Sequence, residues 1–360
     1  MSTRRILPVF LAAIAAWLVV SAFLSQWSLL DGAPRNSLAL YLDGQAERPF
    51  AYRLLMPTLV RSLGKALPED AQRTLADRFA PHFREQYVRP LLTRHEITLP
   101  GISERAERDW RRPDYRRDYV LMVGLIWLAF LGALLAVRQI ALTLGGAENL
   151  ATQLMLGYAA IYPWVFLNGG YFYDFGEQFF ACSLVWLALT GRWTTFSALL
   201  LLMQCNKETA VLMPFLLAPL LWSRRSPGLA IRLGLLSLAC LSILYAIRQH
   251  TAHLPGQSGE WNWADNLQFW LTPSNWLMLY QPYGNSLPVP RLAFPVAAFA
   301  ALLWSCRRGA TGAALAATAS LALMLGLLLT LGFRDEYRAV GMCLPFLIAG
   351  IAAASAPRRD

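Results

Sequence analysis

Long apolar segments separated by short polar connections run through most of this chain. Many of them approach or exceed the ~20 residues that a helix needs to cross ~30 Å of hydrocarbon. Ten such segments can be delimited, at residues 6–25, 119–138, 150–168, 176–190, 193–205, 208–222, 229–248, 291–305, 311–332 and 339–356. The pattern predicts an all-α, polytopic membrane protein of about ten transmembrane helices, folded as a single integral membrane domain over residues 1–360.

The only large hydrophilic region, residues 26–118, lies between the first two predicted spans. Apolar residues recur in it at helical spacing near residues 55–67 and 75–91. Each stretch predicts an amphipathic helix lying on the outer membrane surface, although Pro81 should kink the second or delay its start. The end of the region, residues 104–118, mixes both charge signs and predicts a solvated approach to the second span.

Arginine clusters predict the topology, because short cytoplasmic loops collect Lys and Arg. If the N-terminus is cytoplasmic, every second connection should be basic. The basic residues on those connections are Arg4, Arg5, Arg138, Arg192, Arg224, Arg225, Arg307, Arg308, Arg358 and Arg359. Both termini are therefore predicted to be cytoplasmic and residues 26–118 to form an extracytoplasmic loop. The first segment could instead be a cleavable signal peptide, but its length favours a retained anchor.

Composition agrees with a membrane protein, since 56% of residues are apolar and 15% are charged. The formal charge of +10 does not indicate nucleic-acid binding, because the basic residues flank hydrophobic segments instead of forming a patch with interleaved aromatics. We therefore expect no nucleic-acid partner. The sequence also has no Walker A loop, GxSxG elbow, HExxH helix or Rossmann glycine fingerprint, so ATP-driven or nucleotide-sugar chemistry is not expected.

A polar interruption at residues 206–209 divides the apolar stretch 194–222 and contains Lys207 and Glu208. A charge at membrane depth costs at least ~2.5 to 3.5 kcal/mol, so such groups usually face a polar path. A hairpin with its tip at 206–208 preserves the alternation of basic connections, whereas one long helix would reverse it. Lys207 is a candidate phosphate ligand. The alternative is a buried structural pair in which Glu208 neutralises Lys207.

Two further outer connections also carry charged and phenolic residues. One contains Tyr173 and Asp174, and the other contains Arg334 and Arg338. Because loops on one face of a bundle meet at its end, these groups are predicted to line one cavity with Lys207. The aromatics of residues 261–283 are either interfacial belt residues or a platform for a sugar or lipid head.

Two prolines bracket the segment 48–57, which fixes where Arg53 points. Its guanidinium suits phosphate oxygens, while the rival interpretation is a membrane-surface anchor. Asp31 and Asp43 are the first carboxylates after the first span. Either can lie near the outer mouth of the bundle and accept a proton.

These features together resemble the GT-C superfamily of polytopic membrane glycosyltransferases, and most closely a poorly characterised bacterial branch. The residues that carry the likeness are the long first loop with Asp31 and Asp43, the segment 173–175, the segment 206–210 and the segment 334–338. The likeness covers most of the chain in short motifs. The large soluble C-terminal domain of several members is missing from this sequence.

The resemblance implies transfer of a sugar from a polyprenyl-phosphate carrier to an unknown glycan, lipid or protein acceptor in the cell envelope. It implies an extracytoplasmic reaction at a bacterial cytoplasmic (inner) membrane, in contact with membrane lipid. It implicates Asp43 or Asp31 as the base. Independently of the resemblance, the chemistry of such a transfer makes Lys207, Arg334 and Arg338 candidates to hold the phosphate and Asp174 a further candidate base. Arg53, Glu208 and Tyr173 are further candidates for binding the substrate or its phosphate. No DxD motif is present, so we expect no metal and no cofactor. A lipid-linked glycan polymerase or ligase and a flippase or transporter remain alternatives.

Overall fold

The computed structural model describes residues 3–96, 99–166, 169–221, 226–257, 259, 261–275, 279–280, 289–290, 293–308, 311–332, 334 and 336–356. Over these residues the chain is helical, apart from one ladder of two short strands, β1 (Leu279–Tyr280) and β2 (Val289–Pro290), in which Leu279 pairs with Pro290. The predicted all-α character is therefore confirmed. The arginines at positions 224, 225, 358 and 359 lie outside the described residues, and the side chains of Arg4 and Arg5 are not described either.

The helices follow one another along the chain in three groups. The first comprises α1 (Thr3–Trp27), α2 (Leu38–Leu42), α3 (Leu55–Ala66), α4 (Glu69–Thr74), α5 (Ala80–Phe83), α6 (Arg89–His95) and α7 (Ile102–Trp110). The second comprises α8 (Pro113–Thr143), α9 (Glu148–Val165), α10 (Phe172–Thr190), α11 (Trp193–Asn206), α12 (Met213–Leu217) and α13 (Pro227–His250). The third comprises α14 (Trp263–Leu271), α15 (Ala293–Arg307), α16 (Thr311–Thr330) and α17 (Leu344–Ser355).

Four helices in the described part of the chain are long and apolar enough to cross a membrane: Ile6–Trp27, Pro113–Thr143, Pro227–His250 and Gly312–Thr330. Shorter apolar helices lie at Glu208–Leu217, Val296–Arg307 and Val340–Ser355. By length and composition, the described part of the chain therefore has several candidate membrane spans, as expected of a membrane-embedded helical protein. Every one of the ten predicted segments overlaps a helix, while the count of ten spans stays a prediction.

Helix α8 is the centre of the packing, with α1, α9, α10 and α3 against it. Helix α10 is buried along almost its whole length, including its polar residues Asp174, Glu177 and Gln178. One continuous hydrophobic core joins residues from α1 to α17. A helix buried on all sides cannot leave a polar side chain without a partner, so the polar residues of α10 must find partners inside the protein.

The predicted amphipathic helices of the first loop are present. Helix α3 begins at Leu55 and buries Met56, Val60 and Gly64. The second stretch is a continuous helical run from Glu69 to His95 that contains two π turns, at Leu75–Phe79 and Arg84–Val88. The run passes through Pro81 because that residue occupies the first turn of α5, after the first π turn.

The segment 104–118 differs from its prediction. It was expected to be a solvated approach, but it holds most of α7 and the start of α8, and it buries Trp110 and Tyr115 together with the following Tyr119. The three rings lie against one another, with centroids 4.8 to 6.2 Å apart. Aromatic packing at the C-terminal end of the loop therefore joins residues 26–118 to helix α8.

Candidate functional site

The N-terminal turn of α10 places two carboxylates on one face. Tyr171 precedes the helix in an extended conformation, and its backbone N–H donates to Asp174 Oδ2 at 3.0 Å. Glu177 follows Asp174 by three residues, which is the spacing at which helical side chains are neighbours. Both carboxylates are buried, with 4% and 1% of their surface exposed.

Lys207 lies between these two carboxylates. Its ammonium donates to Asp174 Oδ1 at 3.0 Å and to Glu177 Oε2 at 2.6 Å, and it is 5% exposed. The other Glu177 oxygen accepts from Thr209 Oγ1 at 2.9 Å. The charge that interrupts the apolar run is thus paired inside the protein with two partners.

The helix is interrupted at Lys207. Helix α11 ends at Asn206, whose Nδ2 donates to the carbonyl of Tyr173 at 2.9 Å. Lys207 is extended, with φ −157° and ψ 138°, and a 3₁₀ turn begins at Glu208. Asn206 bonds at the start of α10 and Thr209 bonds one turn further along it, so the segment 206–209 lies against the first turns of α10, while the hairpin stays a prediction.

Gly176 allows Asn206 and the 206–209 turn to lie close to α10. A Cβ atom at Gly176 would lie 2.7 Å from Oδ1 of Asn206. A side chain there would therefore push Asn206, and with it the start of the 206–209 turn, away from α10.

Arg338 joins the network from the other side. It lies in the 3₁₀ turn Tyr337–Cys343, donates to Glu336 Oε1 at 2.8 Å, and places its Nη1 3.9 Å from Asp174 Oδ1. Its guanidinium also stacks over the ring of Tyr171, 4.2 Å from the centroid. Asp174 is therefore held between an ammonium and a guanidinium.

Arg53 and Glu208 form the outermost pair of the network. Arg53 Nη2 donates to Glu208 Oε1 at 2.5 Å, and its guanidinium stacks over Tyr173 and Phe50, 4.9 and 5.5 Å from their centroids. Burial is the largest single influence on Arg53 and disfavours its charge, but Glu208, Tyr173 and Tyr41 together outweigh it and raise the pKa of the guanidinium.

Several atoms around this pair have no hydrogen-bond partner although they are buried. They are Nε and Nη1 of Arg53, Oε2 of Glu208, and the hydroxyls of Tyr173 and Tyr41. Buried polar groups in proteins are normally hydrogen-bonded, so an unpartnered group of both donors and acceptors indicates a place for a polar ligand.

A cavity of about 330 Å³ has two of these residues, Arg53 and Tyr41, in its lining. It lies between the segment 41–61 and the C-terminal end of α13. Its lining residues are Tyr41, Gly44, Ala46, Ala51, Arg53, Leu54, Pro57, Thr58, Arg61, His250, Thr251, His253 and Leu254. Two arginines and two histidines, without a carboxylate among the lining residues, make this a site for an anion.

Arg48 binds Pro255 and Gly256, the residues that follow the cavity-lining residue Leu254. Its backbone N–H donates to the carbonyl of Pro255 at 2.8 Å, and its Nη2 donates to the carbonyl of Gly256 at 2.8 Å. Gly256 has φ +93°, and a Cβ there would lie 2.4 Å from the Arg48 carbonyl oxygen. Only glycine fits this close backbone approach, which holds residues 251–256 against the first loop.

Asp31 lies in a separate, buried environment. Its Oδ1 accepts from Trp110 Nε1 and Tyr115 OH, each at 2.8 Å, and its Oδ2 accepts from Ser28 Oγ at 2.7 Å. The backbone N–H of Leu29 donates to Oδ2 at 3.3 Å. Four donors occupy the four lone-pair positions of this carboxylate, so Asp31 is engaged in holding the first loop to α7 and α8.

Asp43 is adjacent in sequence to the cavity. It follows α2, and Gly44, the next residue, lines the cavity. Its two oxygens bind Arg112 in a bidentate pair at 2.6 and 2.9 Å, and its side chain is 40% exposed. Of the two candidate carboxylates, Asp31 and Asp43, Asp43 is the one that solvent reaches.

The structure thus brings together six of the nine residues predicted for the site. They are Asp174, Tyr173, Lys207, Glu208, Arg53 and Arg338. Asp31 and Asp43 have the separate positions described above, and the backbone of Arg334 bonds to α14, where Asn266 Oδ1 accepts from its N–H at 2.5 Å.

One alternative from the sequence is wrong. Lys207 does not pair with Glu208 but with Asp174 and Glu177, while Glu208 pairs with Arg53. Glu177 was missed as a site residue, although its position three residues after Asp174 on a helix was a usable signal. His250 and His253 were also missed, because no local pattern relates α13 to the first loop.

No family model, curated protein or solved structure matches this chain. Functional inference therefore depends on the chemistry of the site. Within the described residues, no group of three or more His, Cys, Asp or Glu side chains is arranged to hold a metal ion.

Proposed function

We propose that this chain is a membrane glycosyltransferase of the GT-C type, with ten transmembrane helices and both termini in the cytoplasm. It moves a sugar from a polyprenyl-phosphate carrier to an envelope glycan, lipid or protein acceptor on the extracytoplasmic face of a bacterial inner membrane. The observation that carries the proposal is Arg53, a buried arginine with two unpartnered nitrogens beside a cationic cavity in a membrane-embedded chain.

Arg53 is the proposed phosphate ligand. One side of its guanidinium is held by Glu208 and its face by Tyr173, so the remaining N–H groups keep a fixed orientation. A preoriented guanidinium suits two phosphate oxygens and stabilises the negative charge that the carrier gains as the sugar leaves. Arg61, His250 and His253 add positive or polar groups on the other walls.

Lys207 has a different proposed role from the one predicted from sequence. Its ammonium is already bound by two carboxylates and is 5% exposed, which leaves little capacity for a phosphate. Lys207 instead fixes the 206–209 turn against α10. This orients Glu208, the next residue, toward Arg53.

Asp43 is the proposed base. The acceptor hydroxyl oxygen forms a bond to the anomeric carbon, and the bond from that carbon to the phosphate oxygen breaks with its electron pair on the phosphate. The acceptor proton passes to the Asp43 carboxylate. For this, Asp43 must exchange its contact with Arg112, and partly exposed ion pairs are worth only ~0 to 1 kcal/mol.

The test uses the full chain in liposomes with a polyprenyl-phosphate sugar labelled in the sugar, and envelope membranes as the acceptor source. We expect the label to enter an acceptor while free polyprenyl phosphate is formed in equal amount. Movement of the intact carrier across the bilayer without release of polyprenyl phosphate would contradict the proposal and favour a flippase. Transfer only of preassembled oligosaccharides would indicate a polymerase or ligase.

A further inference from the structure

The C-terminal end of α16 receives its hydrogen bonds from α14. The last carbonyls of a helix have no partner within the helix, and α16 is one of the four helices long enough to span a membrane. Asn266 is completely buried, and its Nδ2 donates to two of these carbonyls and to one just beyond the helix. They belong to Leu328 at 3.0 Å and Leu329 at 3.1 Å, and to Gly332 at 2.8 Å.

Asn262, one turn earlier, bonds to the same end. Its backbone N–H donates to the carbonyl of Thr330 at 3.0 Å, and its Nδ2 lies 3.4 Å from the carbonyl oxygen of Leu331. One helix thus caps the other across the space between them. Because α14 lies against the last turn of a spanning helix, its depth is that of the membrane boundary.

The surface of α14 is divided into three sectors. The sector that faces the protein contains Asn262, Asn266 and Trp270, which are four residues apart. The next sector is apolar and exposed, with Trp263, Leu267 and Leu271 at 49%, 40% and 70% exposure. The remaining sector contains Asp265 and Gln268, which are also exposed.

This arrangement does not suit a helix surrounded by water. Such a helix would turn its apolar residues inward and its asparagines outward, and α14 does the reverse. A helix lying in the headgroup region has an apolar side toward the acyl chains and a polar side toward water, with aromatic residues at the boundary. The sector with Asn262, Asn266 and Trp270 is then free to bind the protein.

We infer that α14 lies in the headgroup region of the bilayer and that its partner there is lipid. Trp263, Leu267 and Leu271 contact the outer part of the acyl chains, and Asp265 and Gln268 face water. This inference concerns a lipid-contacting surface outside the proposed catalytic site and does not depend on the proposed function.

The lipid contact also supports the segment that carries Arg338. The backbone of Arg334 is held by α14 at both its N–H and its carbonyl, which bind Asn266 Oδ1 at 2.5 Å and Trp270 Nε1 at 3.2 Å. Four residues later, Arg338 reaches Asp174. Helix α14, in contact with lipid, thus fixes the position of Arg334. The segment that begins at Arg334 reaches Asp174 through Arg338.

The test places spin labels on the full chain in nanodiscs, with the five native cysteines replaced by serine or alanine. Labels are attached to cysteines introduced at positions 267 and 271 and, as matched controls, at 265 and 268. We expect oxygen to relax the first pair more than a water-soluble nickel complex does, and the reverse for the controls.

Equal access of the nickel complex to all four labels would overturn the inference, because the face would then lie in water. Protection of positions 267 and 271 from both reagents would also overturn it, because a second copy or another protein would then cover them.

A second measurement needs no cysteine replacement. The wild-type chain is reconstituted with a lipid that carries a diazirine near the carbonyl end of its acyl chain, illuminated and mapped by mass spectrometry. We expect adducts at Trp263, Leu267 or Leu271 and none at Asp265 or Gln268. An unlabelled α14 in a sample whose spanning helices are labelled would contradict the inference.

Discussion

The ammonium of Lys207 lies 2.6 Å from a carboxylate oxygen of Glu177, although 30 residues separate the two along the chain. The contact joins the break after α11 to the first turns of α10. Asp174 also binds the Lys207 ammonium, and Thr209 also binds the Glu177 carboxylate. These contacts together fix the 206–209 turn in one position. It also makes the stability of the protein sensitive to each member of the network.

Replacing Lys207 with methionine should destabilise the protein strongly, because Asp174 and Glu177 would lose their shared cation while remaining buried. Removal of one partner of a buried pair typically costs ~3 to 5 kcal/mol. The measurement is thermal unfolding in detergent micelles. The double variant Lys207→Met, Glu177→Gln should recover part of the loss. Lys65→Met is the matched control, since Lys65 is the only other lysine and is exposed. Equal stability of both single variants would refute the pairing.

Arg53→Lys should weaken donor binding while preserving the fold. A lysine keeps the charge but loses the planar fork, and the loss of a bidentate phosphate contact corresponds to ~1.5 to 3 kcal/mol, or roughly 10- to 150-fold in affinity. We expect KM for the labelled donor to rise by about that factor. Arg89→Lys, at an exposed pair with Glu85, is the control and should leave KM unchanged. A wild-type KM in Arg53→Lys would remove Arg53 from the phosphate site.

Asp43→Asn should reduce turnover about 10²- to 10⁴-fold, which is the usual contribution of a general base, with little change in stability. Its pair with Arg112 is partly exposed and worth ~1 kcal/mol or less. Asp31→Asn should show the opposite pattern. It should lower the thermal midpoint because its four buried donors lose their carboxylate, and the folded fraction should keep its turnover. The reverse outcome would assign the base to Asp31.

Gly176→Ala should destabilise the protein and lower transfer activity together, because the added methyl group would displace Asn206. Overpacking of this kind typically costs ~1 to 3 kcal/mol. The matched control is Gly157→Ala in α9, where nothing lies within 4 Å of the added atom. That variant should be neutral or slightly more stable, since alanine favours a helix by up to ~1 kcal/mol over glycine. Equal behaviour of the two alanine variants would contradict the close approach of α10 and the 206–209 turn.

Asp109 predicts a pH dependence of stability. Burial, and then the charge of Asp31, raise the pKa of Asp109 from 3.8 to about 6. The folded chain therefore binds this proton more tightly than the unfolded chain between those values, and the stability from this group falls as pH rises through the window. Asp109→Asn should be more stable than the wild type at pH 7.5 and nearly equal to it near pH 4.

The gain should be ~1 kcal/mol or less, because Asp109 is partly exposed and solvent screens its charge. Thermal unfolding at the two pH values measures it. Glu104→Gln, at an exposed position of the same helix, is the control and should show no such difference. A constant difference between Asp109→Asn and the wild type across this range would show that its charge is not the cause.

The helical segments could be predicted because hydrophobic spacing is a local property. The break at residues 206–208 could be predicted for the same reason. A lysine within an apolar run is costly at membrane depth and therefore indicates a polar interruption. Asp174 and Arg338 were also predicted, from their places in two predicted outer connections, and Arg53 was predicted from the two prolines that bracket its segment. In each of these cases the signal lies within a few residues of the group concerned.

The partners of those groups could not be predicted. Whether Lys207 binds Glu208 or the carboxylates of α10 depends on the direction in which α11 and α10 approach each other, and Gly176 sets that distance. Trp110 and Tyr115 are polar-flanked aromatics that resemble surface residues in sequence, and only the tertiary structure shows them bound to Asp31. Partners that lie far apart in the sequence could therefore not be identified from the sequence alone.

The asparagine cap of α16 bears on how the membrane protein is assembled. Asn262 and Asn266 are synthesised 62 to 69 residues before the carbonyls that they bind, so the donors are already in place when the hydrophobic helix leaves the insertion machinery. The late helix can then end at a defined residue without waiting for water or for a downstream segment to satisfy it. An error at Asn266 should accordingly appear first as an incompletely inserted C-terminal third in newly made protein.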